Sequence, residues 1–351
     1  MLSTSLVCRS LTVALGELAL CCWACQIVQA QAPQGPAAPA TPTDVKTAAS
    51  RGLTALQKAA AKYPEHRKCF SCHHQTLPML AQITARTRGF DIESDLLQSQ
   101  LEFTLKSFER QTSDLKKGAG IGGKGMTVAY GLWAGLLADA KPNETTESMV
   151  AYLLKTQRDE GHWTGQTCRP PLEESYLTCT VLAIQGIRKY STGDQREATD
   201  AAIAKAKSWL MTAPAKSQED KVARLWGLNL LGGPTEESRA ARAVVLKGQR
   251  SDGGWGQLDE MDSDAYATGQ TLFVLQATGL DRGDAAVQRG VQFLLKNQQP
   301  DGTWLVVSRS KPIQTYYDYD DEDPLGKNQF ISVPATSWAV AALVATAARA
   351  D

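Results

Sequence analysis

The sequence lacks any surplus of charge: 37 basic residues stand against 37 acidic ones. It has no basic run and no interleaving of basic with aromatic side chains. Both absences remove the electrostatic case for binding nucleic acid. No segment alternates polar and apolar residues as a half-buried strand must, which excludes a sheet protein. Histidine is scarce, four in all, and His66, His73 and His74 fall in one short stretch. The metal-binding hydroxyl of a phosphate-binding loop is missing too. Gly118-Ala-Gly-Ile-Gly-Gly123-Lys124 is followed by Gly125, not Ser or Thr, and no strand precedes it. The segment reads as a loop before a helix over 126–137.

Cysteine is absent from most of the chain. Cys8, Cys21, Cys22 and Cys25 fall in the first stretch, and only Cys69, Cys72, Cys168 and Cys179 follow. Residues 1–30 read as an export signal: Arg9, then an apolar run from Leu11 to Val28, then small residues at Ala30 and Ala32. Glu17 and the cysteines interrupt that run, so it does not predict a spanning helix, and no transmembrane helix is expected in the mature chain. The expected location is periplasmic or extracellular. Cys25 as a lipoprotein anchor is the lesser reading, because its flanking residues fit poorly. Residues 31–44, rich in Pro and Ala, read as a linker. The folded domain is expected over 45–351.

What the chain does have is repetition. Gln157-Arg-Asp-Glu160-Gly161-His-Trp163, Gln249-Arg-Ser-Asp252-Gly253-Gly-Trp255 and Gln298-Gln-Pro-Asp301-Gly302-Thr-Trp304 share one pattern. The first Trp-to-Trp interval is close to twice the second, so one degenerate unit lies between. Each motif sits between two helical runs, with Thr178, Thr268 and Thr336 in matching positions of the following helix. Asp-Gly suits a turn, Gln can bond to open backbone groups at helix ends, and Trp can cover a joint between hairpins. The motif therefore reads first as a staple. Six helical hairpins follow, near 46–90, 95–140, 145–190, 197–232, 237–280 and 285–350, and stacked pairs bury one continuous core.

The Gln-x-x-Asp-Gly-x-Trp pattern resembles the QW motif of squalene–hopene and oxidosqualene cyclases. Ser263-Asp-Ala-Tyr-Ala-Thr-Gly-Gln270 and Gln329–Trp338 resemble inner helices of that superfamily, which includes the prenyltransferases. The resemblance implies an all-α fold, a single (α/α)₆-type toroid, where the cyclases have two barrels. It implies a cavity lined by Tyr130, Trp133, Tyr176, Tyr266, Phe273 and Trp338, suited to an isoprenoid or other apolar ligand; the same rings could instead simply fill core. Cyclases of this family protonate an alkene with an Asp-x-Asp-Asp motif. Matching it to Asp262-Ser263-Asp264-Ala265 puts Asp264 at the donor position beside Asp262, with the final Asp replaced by Ala265. A helix cap is the alternative role for either carboxylate. The Asp-x-Cys zinc motif of the prenyltransferases is missing.

Cys69-Phe-Ser-Cys72-His73 is the sharpest chemical signal. In an exported chain it resembles the attachment motif of c-type cytochromes, with both thiols bonded to haem c and His73 on the iron. Met126, Met261 and His162 are open choices for the second axial ligand, while Met79 lies too close to His73 along the helix. A disulfide between Cys69 and Cys72, or zinc on Cys69, Cys72, His73 and His74, are competing readings. Cys168 and Cys179 could form a disulfide, or Cys179 could simply pack. The acidic, aromatic stretch from Tyr316 to Asp323 reads as a solvated loop.

These signals favour an exported, haem c-bearing binding or electron-transfer module working with a redox partner protein. The alternative is a terpene cyclase-like enzyme acting on a polyprene, with Asp264 as general acid. A bare scaffold is the third reading.

Overall fold

The computed structural model describes residues 41–166, 169–310 and 325–347. They form an all-α ring of six hairpins. The outer layer is α1 (Pro42–His66), α3 (Ser94–Glu109) with the short α4 (Thr112–Leu115), α6 (Glu144–Thr156), α8 (Arg196–Thr212), α10 (Glu236–Lys247) and α12 (Ala285–Asn297). The inner layer is α2 (Leu77–Arg86), α5 (Lys124–Leu137), α7 (Tyr176–Tyr190), α9 (Gln218–Gly232), α11 (Ala265–Ala277) and α13 (Gln329–Thr346). Each inner helix packs on the next, and α13 packs on α2 and α1 to close the ring.

Burial separates the two layers. On α1 the buried residues are Val45, Ala48, Ala49, Gly52, Leu53, Leu56, Ala59, Ala60 and Tyr63, one face of a surface helix. On α5 and α13 burial is nearly continuous, as helices enclosed on most sides require. Gly326–Thr346 is long and apolar enough to cross a membrane, yet it is mostly buried within the ring, where it serves as core. Helix α1 begins at Pro42, inside the stretch read as linker. Thr41 and Asp44 form a reciprocal capping box, and the proline occupies a first-turn position where no N–H is needed. A two-residue antiparallel ladder, β1 (Trp255–Gly256) with β2 (Ser263–Asp264), follows the second motif where no strand was expected.

The three motifs are staples with one geometry. Trp163, Trp255 and Trp304 are buried, and their Nε1 atoms donate to the carbonyls of Leu153, Val245 and Leu294 on the preceding outer helix. Gln157, Gln249 and Gln298 each donate through Nε2 to the Gly of their own turn and to a carbonyl of the next outer helix: Ala202, Ala286 and Ala48. These acceptors include carbonyls well inside a helix, so the expected role at open helix ends is corrected. The third staple reaches α1 and joins the last hairpin to the first. There Arg51 also donates to the carbonyls of Gln299 and Pro300, each at 2.7 Å. The Trp backbone N–H groups donate to Thr180, Thr268 and Thr336. Thr180, two residues further on, replaces the expected Thr178, whose hydroxyl bonds to Glu219 instead.

Candidate functional site

The inner helices start at the same end of the ring, and their first turns converge. His73 meets Phe330 of α13 at 5.0 Å between ring centroids, Thr76 lies 3.4 Å from the carbonyl of Tyr130, and Glu219 of α9 bridges Thr178 of α7 and Tyr266 of α11. At this end lies the Cys69–His73 segment. Ser71 caps a π-helical turn, Cys72–Thr76, that leads into α2; its hydroxyl accepts from the His74 N–H at 3.0 Å. A turn of this kind widens the helix and is a recurrent device at functional positions.

Beside this turn is a cavity of about 860 Å³, within the range of small-molecule and cofactor sites. Cys69, Cys72 and His73 line one wall, and Met126 and Tyr130 of α5 line another. Phe70, Phe103 and Phe108 supply apolar surface. Arg67, Lys68, Lys106, Arg110 and Arg169 also line it, with Glu173 as the lining carboxylate, ion-paired to Arg169 at 3.3 Å. Cys69 is exposed and Cys72 buried, so the cavity runs from surface to interior.

The electrostatics suit a neutral ligand set. Burial holds the Cys72 thiol well above its ordinary range, with the Glu173 charge adding to the effect. Burial, then His74 and Arg169, holds His73 well below the usual histidine range, and burial alone takes His74 down to about 3. Nδ1 of His73 contacts Nδ1 of His74. That contact orients the His73 ring through one nitrogen and leaves Nε2 for a ligand, the arrangement metal-binding histidines commonly use.

A second buried cluster adjoins the first. Glu219 accepts from Thr178 at 2.8 Å and from Tyr266 at 3.0 Å. Burial pushes its carboxyl up to about 8, against the pull of those two bonds. Sequence reasoning missed it, because Ser217-Gln-Glu-Asp220 looks like a capping box and is one. The cationic lining of the cavity and Trp226 were missed as well.

The other anticipated residues are dispersed. Asp264 is the N-cap of α11: one carboxylate oxygen accepts from the Ala267 N–H and the other from Gln257, both at 2.9 Å. Its carboxyl is raised to about 6, first by burial. Asp262 is exposed, and neither lines the 860 Å³ cavity. Of the six aromatics, Tyr130 alone lines it. Trp133 stacks on Trp338 and meets Trp226 edge-on, while Phe273 packs on Trp338, so these rings fill the interior against one another. Tyr266 is buried against Glu219. Tyr176 is 44% exposed and faces His162 on the outside of α7, correcting its place in the cavity. Cys69, Cys72 and Cys179 are free thiols, and Cys179 is wholly buried in α7. Cys168, the export signal, almost all of the linker and Tyr316–Asp323 lie outside the described residues. Among the described residues, no three or more His, Cys, Asp or Glu side chains are grouped to hold a metal ion, as the zinc reading would need.

Residues 228–351 match the family model described as the squalene–hopene cyclase C-terminal domain; the match does not include Cys69–His73. No curated protein matches the sequence. Among solved structures, the chain is similar to the type II terpene cyclase MstE from Scytonema, with a TM-score of 0.56 at 12% identity over 86% of this chain and 98% of that one. A variant of that cyclase, solved with geranylgeranyl dihydroxybenzoate, gives 0.55 at 13% over 87% and 98%. A glycosidase gives 0.58 at 11% over 87% and 97%. Proteins of two different chemistries thus share this architecture, and the likeness establishes the fold: an all-α toroid of the cyclase-like kind.

Proposed function

We propose that this chain is an exported, haem c-bearing toroid that serves as a binding or electron-transfer module. The observation that carries the reading is the shared cavity: two thiols and a neutral imidazole in Cys-x-x-Cys-His order, apolar walls, and a cationic lining. Cys69 and Cys72 would hold the group as thioethers, and His73 would ligate its iron through Nε2. When bound, the group supplies a one-electron redox centre. Arg67, Lys106 and Arg110 are suited to anionic substituents such as propionates. Phe70, Phe103 and Phe108 exclude water from the buried side.

The alternative, a polyprene cyclase with Asp264 as acid, is less well supported, since both Asp264 oxygens are already acceptors. An isoprenoid ligand is the second reading, favoured by the solved complex of the similar cyclase with a geranylgeranyl compound.

The test is the visible spectrum and pyridine adduct of protein exported from a host with haem-attachment machinery. Covalent haem, lost in Cys72→Ala, is the expected result. Mature protein that carries no covalent haem would overturn the proposal and make binding of a polyprene the next measurement.

A further inference from the structure

A second ligand to the iron would have to come from an element other than the turn that carries His73. Met126, Met261 and His162 are open by sequence, and the structure separates them. His162 is stacked on Trp209, with ring centroids 4.6 Å apart, and on Tyr176, in the turn between α6 and α7. Met261 lies in the turn before β2, away from the cavity. Met79, already set aside by sequence, is fully buried in α2 and does not line the cavity.

Met126 is different. It occupies the first turn of α5, immediately after the glycine-rich loop, and is 2% exposed. It lines the same cavity as Cys72 and His73, where, among the described residues, it is the one thioether and His73 the one imidazole. The two belong to different elements, α5 and the π-helical turn. We infer that the Met126 thioether is the second axial ligand of a haem iron held by His73. The inference rests on the haem reading above. A thioether suits the position because it ligates without a proton to lose.

The test uses the holoprotein, with covalent haem first verified by its pyridine adduct. The oxidised wild type is expected to show the long-wavelength charge-transfer band of thioether ligation. The reduced wild type, carrying isotope-labelled methionine, is expected to show one methyl resonance shifted far upfield. Met126→Leu, close in volume and so tolerated by the core, is expected to lose the band and to lower the reduction potential. It should also let the reduced protein bind carbon monoxide, while Met261→Leu changes none of these. A wild type with covalent haem but neither signature, or a Met126→Leu protein that keeps the band, overturns the assignment and leaves the haem reading standing. Mature protein without haem overturns both. Where the variant does not fold, sequence-specific assignment of the shifted methyl in the labelled wild type decides the matter: assignment to Met126 supports the inference, and assignment to any other methionine overturns it.

Discussion

The two sides of the ring solve the same packing problem differently. From α6 onward, three joints are closed by one staple: a buried Trp, a Gln with two backbone acceptors, and a Gly pressed against the next outer helix. The hairpins from α1 to α5 have no such motif of their own. In its place they carry the π-helical turn, the Gly118–Gly123 loop and a buried layer of Gln75, Gln82, Gln100 and Thr104. That layer is incompletely paired: Gln75 Oε1, Gln82 Oε1 and Thr104 Oγ1 are buried without partners. Buried polar atoms without partners occur on the stapled side too, among them Gln185 Nε2, the Tyr190 hydroxyl and Trp338 Nε1. What sets the α1–α5 side apart is an irregular turn beside a cavity in place of a staple.

The comparison breaks most sharply at the third staple, which closes the ring. Trp304→Ala should cost about 3–5 kcal/mol, as a buried ring and its hydrogen bond are lost. Gly302 has φ +91°, and a Cβ there would lie 2.6 Å from the Arg51 carbonyl oxygen. Gly302→Ala should therefore cost about 3 kcal/mol. Gly122, in the glycine-rich loop, has nothing within 4 Å of an added Cβ, so Gly122→Ala should stay within roughly 0.5 kcal/mol. Denaturant melts of the three variants test this. Equal losses at Gly302 and Gly122 would mean that the staples are not what distinguishes the two sides.

Glu219 of α9 lies on the stapled side, bonded to Thr178 of α7 and Tyr266 of α11, and its effect depends on pH. Its folded carboxyl titrates near 8 against an ordinary 4.5. Below 4.5 both the folded and unfolded forms hold the proton. Between 4.5 and 8 the unfolded chain releases it and the folded chain does not, so this contribution to stability is lost as pH rises through that window. Glu219→Gln removes the term. The difference in unfolding free energy between variant and wild type should grow in the variant's favour from pH 4.5 to 8, reaching on the order of a few kcal/mol. His74, lowered to about 3 from 6.5, acts in the opposite sense and costs stability as pH falls below 6.5. It is common to both proteins and cancels in the difference. A flat difference across the window would mean that Glu219 is ionised in the folded protein.

The fold was legible because repetition marks three of the six joints between an outer helix and the inner helix after it. Gln157–Trp163, Gln249–Trp255 and Gln298–Trp304 punctuate the chain, and the six hairpin ranges agree with the helix pairs to within a few residues. The site was half legible. Cys69, Cys72 and His73 are adjacent in sequence, so their chemistry could be read directly. Met126, Arg169, Phe103 and Phe108 join them only through the packing of other hairpins, which local pattern does not encode. Inner-helix aromatics could be identified, but not the direction each faces. Tyr176 at the first position of α7 points outward, while Trp226 of α9 points inward to Trp133. Asp264 shows the limit of motif matching: the spacing resembles an acid motif, and the backbone uses the carboxylate as a cap.

The finest test compares one residue type on the two sides. Gln249 donates to the carbonyls of Gly253 and Ala286, at 2.9 and 2.8 Å, and accepts from Arg289. Gln249→Met would remove both bonds and leave Arg289 without its acceptor, and should cost about 2 kcal/mol. Gln82 donates once, to Gln100 Oε1 at 3.0 Å, and its own Oε1 is buried without a partner. Gln82→Met removes that unpaired oxygen while freeing another on Gln100, so the two changes nearly offset and the net cost should be under about 1 kcal/mol. Urea unfolding of both variants measures the gap. A Gln82→Met protein as damaged as Gln249→Met would show that the polar layer contributes as much to stability as the staples do, and that the cavity side is not the more tolerant one.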